Sequence, residues 1–285
     1  MKLLVFLLLP YLSLSEVGKN FDQCSRFFLN NDPPRFTPPA DDSVQHICQC
    51  LWDDSDQKIY LYATLYSTKW KIPIYSAYVF QSHHSIGRCD VWYIEPQLDD
   101  NNADPCMSPK GYKRTIGKNQ AVNRDYDKSG YDRGHLYPVQ HTNNHLSMLA
   151  TSTLTNAAPQ DPSFNQDAWS THEKDVINDL KDCKEAYVVT GVVPETNIKI
   201  PTNKPRVTVS KYYWRATCCL KNNKFTGKGY FGPNNNGRVE SLTIAKLQKM
   251  LEKDYKEKNI NINENIIIFP SEPPGRKRPL NGCNQ

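Results

Sequence analysis

Two stretches of the chain gather the groups that hydrolysis of a phosphate diester requires. Tyr131-Asp132-Arg133-Gly134-His135 supplies a carboxylate, a guanidinium and an imidazole, and Asn165-Gln166-Asp167-Ala168-Trp169-Ser170-Thr171-His172-Glu173 supplies amide oxygens and further carboxylates. In such a reaction water must lose a proton, negative charge on phosphorus must be neutralised and the departing alkoxide must be stabilised. An unperturbed imidazole titrates near 6.5, so most of it is neutral at extracellular pH and able to accept a proton; His135 is the natural general base. Arg133 stays charged and grips two oxygens at once, the role of a phosphate clamp. Gly134 is expected to let the backbone approach the phosphate closely, and Asp132 to act as a structural partner.

These residues need elements to hold them. Lys58 to Phe80 is rich in Tyr, Ile, Val and Thr with partial alternation and predicts two strands. Arg88 to Leu98 predicts a short strand ending at Glu95-Pro96, followed by a polar loop from Asp99 to Tyr112. Apolar residues at Phe164, Ala168, Val176, Ile177 and Leu180 predict a helix over Phe164 to Lys181, with Ser163 as its cap. Ala186 to Val193 reads as a strand and Val207 to Leu220 as a strand pair, together extending a sheet. Ser241 to Lys253 is an amphipathic helix whose Leu and Met stripe belongs to the core.

On a straight α-helix, Asn165 and Glu173 are separated by about 12 Å of rise and roughly 80° of rotation, which argues against both gripping one ion directly. Trp169 between them reads as packing. By spacing alone, Asn165 near a helix start serves equally well as a capping residue or as an oxygen ligand. His141 and His145 have the i, i+4 spacing of a metal pair but lack the neighbouring Glu of a zincin, and read as structural or surface residues.

The chain begins with Met1-Lys2, an apolar run from Leu3 to Leu14 and Ser13-Leu14-Ser15, the pattern of a secretory leader over residues 1–15 with cleavage before Glu16. The run is too short for a transmembrane helix, and no later segment predicts one. Residues 16–269 are expected to form a single domain and residues 270–285 a Pro-rich, basic tail, extended unless Cys283 anchors it. The nine cysteines favour disulfides over zinc in an exported chain, since they include no C-x-x-C. The odd number leaves one unpaired, and Cys218 and Cys219, adjacent in a strand, should take different partners. A net charge of +5 suits a polyanion without demanding one, and there is no Asn-x-Ser/Thr sequon.

The paired stretches, together with Thr155-Asn156-Ala157-Ala158-Pro159-Gln160, resemble the DNA/RNA non-specific endonuclease family, the ββα-metal or His-Me finger nucleases. Ile72 to Tyr78 and Glu95-Pro96-Gln97-Leu98 further resemble its endonuclease domain-containing 1 branch. The resemblance runs from about Cys48 to Leu251 and implies an α+β, ββα-metal fold: a central, mostly antiparallel sheet flanked by helices. It implies a secreted hydrolase cutting DNA and RNA through contacts to the phosphate backbone. By the same resemblance His135 is the base, Asn165 the one direct protein ligand of Mg²⁺ (Mn²⁺ as substitute) and Glu173 an acceptor for the ion's water. Arg133 and Arg88 become the catalytic arginines, with Asp132, Gly134 and Asn156 in support. Two positions depart from the family pattern: the strand before Tyr213-Trp214 lacks a proline, and His172 stands where an apolar residue is usual. A second class fits the same constellation, a secreted nucleic-acid- or protein-binding module with feeble catalysis. A zinc hydrolase does not, because the ligand types fail to converge.

Overall fold

The computed structural model describes residues 16–36, 43–81, 91–109, 116–258, 260, 262, 265–270 and 283. The expected leader, Arg88, Cys89 and nearly all of the expected tail lie outside the described residues.

Eight strands form an antiparallel sheet: β1 (Val17–Gly18), β2 (Val44–Trp52), β3 (Lys58–Ser67), β4 (Ile72–Val79), β7 (Glu185–Ile200), β8 (Val207–Lys221), β9 (Lys224–Pro233) and β10 (Glu240–Leu242), in that spatial order. The predicted pair over Lys58 to Phe80 is the β3–β4 hairpin. Val207 to Leu220, read as two strands, is one long strand paired with β7 on one side and β9 on the other. Arg88 to Leu98 does not become a strand where it is described. Tyr93 and Ile94 make single bridges to Thr153 and Ser108, and Pro96–Leu98 is a 3₁₀ turn. The Gln120 amide replaces a ladder partner, donating to Glu95 O at 2.7 Å and accepting from Glu95 N at 2.9 Å, and Pro96 has no N–H to continue a strand.

Side-chain alternation assigns the two faces of the sheet. On one, Val176 and Leu180 of α3 (Ser170–Leu180) pack with Val188 of β7 and Cys219 of β8. On the other lies α4 (Ile244–Glu257), capped by Thr243, whose hydroxyl accepts from Lys246 N. Leu247, Leu251 and Tyr255 are buried, and the Tyr255 hydroxyl donates to Val192 O at 2.8 Å. A Cβ at Gly229, opposite Ala216, would sit 2.9 Å from the Leu247 Cβ, so β9 stays bare there to seat the helix. The expected helix start at Ser241 moves to Ile244 because Glu240–Leu242 is taken up as an edge strand.

Cys24 bonds Cys48, Cys50 bonds Cys106, Cys183 bonds Cys219 and Cys218 bonds Cys283. The neighbouring Cys218 and Cys219 do take different partners, one on each face of β8, and Cys283 is tied to the sheet. No helix among the described residues is long and apolar enough to cross a membrane.

A second, two-stranded sheet carries the reactive residues. β5 (Asp132–His135) pairs antiparallel with β6 (Ala157–Gln160), setting Asp132 opposite Gln160 and His135 opposite Ala157. α1 (Asn123–Tyr126) leads into β5, and α2 (His145–Thr151) lies between the two strands in sequence. A π-helical turn, Phe164–Trp169, follows β6 and continues directly into α3, completing a ββα unit.

Candidate active site

The ββα unit is fastened to the large sheet by a few buried polar contacts. Tyr213 of β8 donates its hydroxyl to Ala158 O at 2.8 Å. The Asn234 amide donates to Pro159 O and Ser210 O and accepts from Asp161 N, joining the start of the helix to the end of β9. Asp161, not Ser163, caps that helix: its carboxylate accepts from the backbone N–H of Ser163 and Phe164. The Ser163 hydroxyl bonds the same carboxylate, and this bond first, with the two N–H groups, holds Asp161 below the usual carboxylate range. An Asp after the strand competes better than Ser because a charged acceptor faces several N–H donors at once.

His135, Arg133, Asp132, Asn165 and Glu173 all line one open cavity of about 730 Å³, with Trp92, Tyr131 and Gln166 beside them. The His135 ring lies against Trp92, centroids 4.9 Å apart. Arg133 is clamped between two aromatic faces, its guanidinium 5.5 Å from the Trp92 centroid and 5.4 Å from that of Tyr126. It also donates to Asn123 O at 3.3 Å, and Asp127 lies 3.9 Å away. Stacking of this kind fixes the plane of a guanidinium without neutralising it.

The Asp132 carboxylate accepts from Asn165 Nδ2 at 2.9 Å and from Gln166 Nε2 at 3.1 Å. Fixing the Asn165 amine end in this way turns the carbonyl end of the amide away from Asp132. Among the described residues no group of three or more His, Cys, Asp or Glu could hold a metal ion. The residues lining the cavity include the Asn165 amide and the Asp132 and Glu173 carboxylates, whose hard oxygens are of the kind Mg²⁺ prefers when it retains most of its water.

Glu173 shares the cavity with Asn165, although a straight α-helix would rotate the two apart. The π turn makes the difference, because i→i+5 closure puts more residues into each turn and reduces the angle accumulated between them. Its carboxylate lies 3.5 Å from Nη2 of Arg215, a fully buried residue of β8. His141 is buried, with Nε2 3.1 Å from Glu173 O and Nδ1 2.8 Å from the Tyr78 hydroxyl. A carbonyl only accepts, so Nε2 carries the proton and Tyr78 donates to Nδ1. His141 is thus structural, while His145 is exposed on α2.

Packing and hydrogen bonding fix the places of two residues expected in support. The side-chain direction of Gly134 points into the interior: a Cβ there would lie 2.6 Å from the Tyr213 hydroxyl and 2.6 Å from the Gln160 Cβ, and would strike the Gln160 Oε1. Gly134→Ala is therefore expected to cost about 1–3 kcal/mol as an overpacking substitution, read as a lower urea midpoint; an unchanged midpoint would show that the site yields freely. Asn156 does not line the cavity. It is fully buried and ties Tyr137 N, Tyr137 O and Thr151 O, pinning the chain just beyond His135.

His172 also turns inward, packed between Trp169 and Tyr230 at 4.9 and 4.5 Å. Burial first, then the charge of Arg215, pushes its pKa well below 6.5. The unfolded chain therefore binds the extra proton below pH 6.5, so the contribution of His172 to stability is complete above that pH and declines as pH falls beneath it. The expected slope reaches about 1.4 kcal/mol per pH unit. His172→Leu should flatten the pH dependence of the unfolding midpoint between pH 7 and 5; identical slopes in the two proteins would refute this.

Arg215 and Trp92 were not among the sequence candidates. The signal for Arg215 was a charged residue at an inward position of an alternating strand, between Tyr213 and Thr217.

The family of DNA/RNA non-specific endonucleases matches residues 52–265. The chain is 31% identical over 253 residues to the human Endonuclease domain-containing 1 protein, covering 84% of this chain and 47% of the relative. It is 31% identical over 174 residues to a protein named "Nuclease" from Nostoc, covering 61% and 59%. It thus spans about half the length of the human relative. Among solved structures, a chain of the EndoG/EndoGI complex superposes with a TM-score of 0.51 at 22% identity, over 69% of this chain and 83% of that one, and shares the α+β fold. The matched region contains every described residue of the cavity, from Trp92 to Glu173, and the chain belongs to the DNA/RNA non-specific endonuclease family.

Proposed function

We propose that this chain is a secreted, metal-dependent endonuclease that hydrolyses internal phosphodiester bonds of DNA and RNA with little sequence preference. The observation that carries the reading is the convergence of His135, Arg133, Asn165 and Glu173 on one polar cavity of a ββα unit. His135 takes the proton from the attacking water, its ring braced by Trp92. Arg133, held in plane by two aromatic rings, meets the charge that builds on the phosphate. Asn165 would hold a divalent ion through its amide oxygen, with Asp132 keeping the amide oriented, and Glu173 would accept hydrogen bonds from the ion's water shell. Mg²⁺, or Mn²⁺ in its place, would neutralise charge on the phosphate and on the departing oxygen. Groups that recognise phosphate rather than base edges support weak sequence preference. Four disulfides and the apolar leader support export.

Binding and cleavage measured side by side at fixed salt test this reading. Wild-type protein with Mg²⁺ is expected to degrade circular plasmid and structured RNA, and chelator to abolish both. Tight binding without turnover in either Mg²⁺ or Mn²⁺ would favour a binding module on the nuclease fold.

A further inference from the structure

Among the described lysines and arginines, Arg215 is the one that is buried. Its side chain is 0% exposed, in the interior of β8 beneath α3. Nε donates to Thr190 Oγ1 at 2.9 Å, and the guanidinium lies 4.8 Å from the centroid of the Trp169 ring. Neither Nη1 nor Nη2 makes a hydrogen bond among the described residues, and its ion-pair partner is Glu173, whose side chain is 12% exposed and faces the cavity.

A buried ion pair is a poor way to stabilise a fold, since an apolar side chain of similar volume commonly does as well or better. A cation at this position therefore serves something besides the core. The 3.5 Å separation exceeds the 2.7–2.9 Å typical of a charge-assisted hydrogen bond. Arg215 thus acts on Glu173 mainly as a fixed charge. Thr190 and Trp169 hold that charge from two sides, and neither belongs to the cavity wall. The arrangement runs from the sheet (Thr190), through Arg215, to the carboxylate.

We propose that Arg215 is a positioning residue, which holds the Glu173 carboxylate toward the cavity so that it can order the water around the divalent ion. This rests on the nuclease reading above and extends it from the ββα unit into the large sheet. Arg215 touches neither substrate nor ion; it acts through Glu173.

The test is a double-mutant cycle between the two residues, in which coupling shows as a failure of additivity. Arg215→Met is expected to lower kcat about tenfold or more with KM little changed, and Arg215→Lys to restore part of the loss. In a Glu173→Gln background, Arg215→Met should cost less than about threefold further. Because Arg215→Met leaves Glu173 without its counter-charge and can impair folding, Thr190→Val provides a second variant. It keeps the cation and loosens its orientation, and should lower kcat several-fold in the wild type but not beside Glu173→Gln. A readout free of activity is the rise in unfolding temperature on adding Mn²⁺ without substrate. That rise should shrink equally in Arg215→Met and Glu173→Gln. Losses that multiply in the double variant, or a Mn²⁺ response in Arg215→Met equal to that of wild type, would overturn this inference while leaving an active wild-type nuclease intact. A wild-type protein that neither cleaves nor responds to Mn²⁺ would overturn the nuclease reading itself, and this inference with it.

Discussion

His135→Ala protein is expected to cleave plasmid DNA and RNA about 10²–10⁴-fold more slowly than wild type, the range attributed to a positioned general base. The loss should lie in turnover, because the groups assigned to phosphate and ion are separate from the imidazole. Arg133 is held by Tyr126 and Asn123 O as well as by Trp92, the one of these that also touches the His135 ring, and Asn165 is held by Asp132. Stability should change little. His135 is the last residue of β5, partly exposed at the cavity, and its backbone pairing with Ala157 survives the substitution. Circular dichroism and the urea midpoint of the variant are therefore expected to match wild type.

Asn165→Ala is expected to produce the second-largest effect, roughly 10²-fold in rate, the scale of losing one fixed electrostatic contact to the reacting group. Unlike His135→Ala, it should also abolish the Mn²⁺-dependent rise in unfolding temperature measured without substrate. Asp132→Ala should give a smaller form of the same defect, since it frees the Asn165 amide to rotate without removing its oxygen. A full Mn²⁺ response in Asn165→Ala would remove Asn165 from the ion's contacts.

Much of the site was legible because its chemistry is local in sequence. Asp132, Arg133 and His135 fall within one four-residue strand, and Asn165 and Glu173 within one continuous helical segment. What escaped depends on distant partners. Arg215 acquires meaning only when β8 passes beneath α3, and Gly134 only when Tyr213 and Gln160 press against it. The π turn that brings Asn165 and Glu173 to one cavity leaves no trace in apolar spacing. In the fold, the β3–β4 hairpin and α4 followed from alternation and amphipathicity. β9 is harder to read, because Gly227, Gly229 and Gly232 dilute a strand pattern where a helix and the chain end approach closely. The stretch around Glu95 fails as a strand because a glutamine side chain takes the place of a neighbouring backbone.

The most direct measurement is the rate of plasmid and RNA cleavage by wild-type and His135→Ala protein, purified alike, in Mg²⁺ and in chelator. Wild type is expected to cleave both substrates in Mg²⁺ alone, and the variant to cleave them at most about one hundredth as fast. Undiminished cleavage by folded His135→Ala, or wild-type cleavage that persists in chelator, would contradict it.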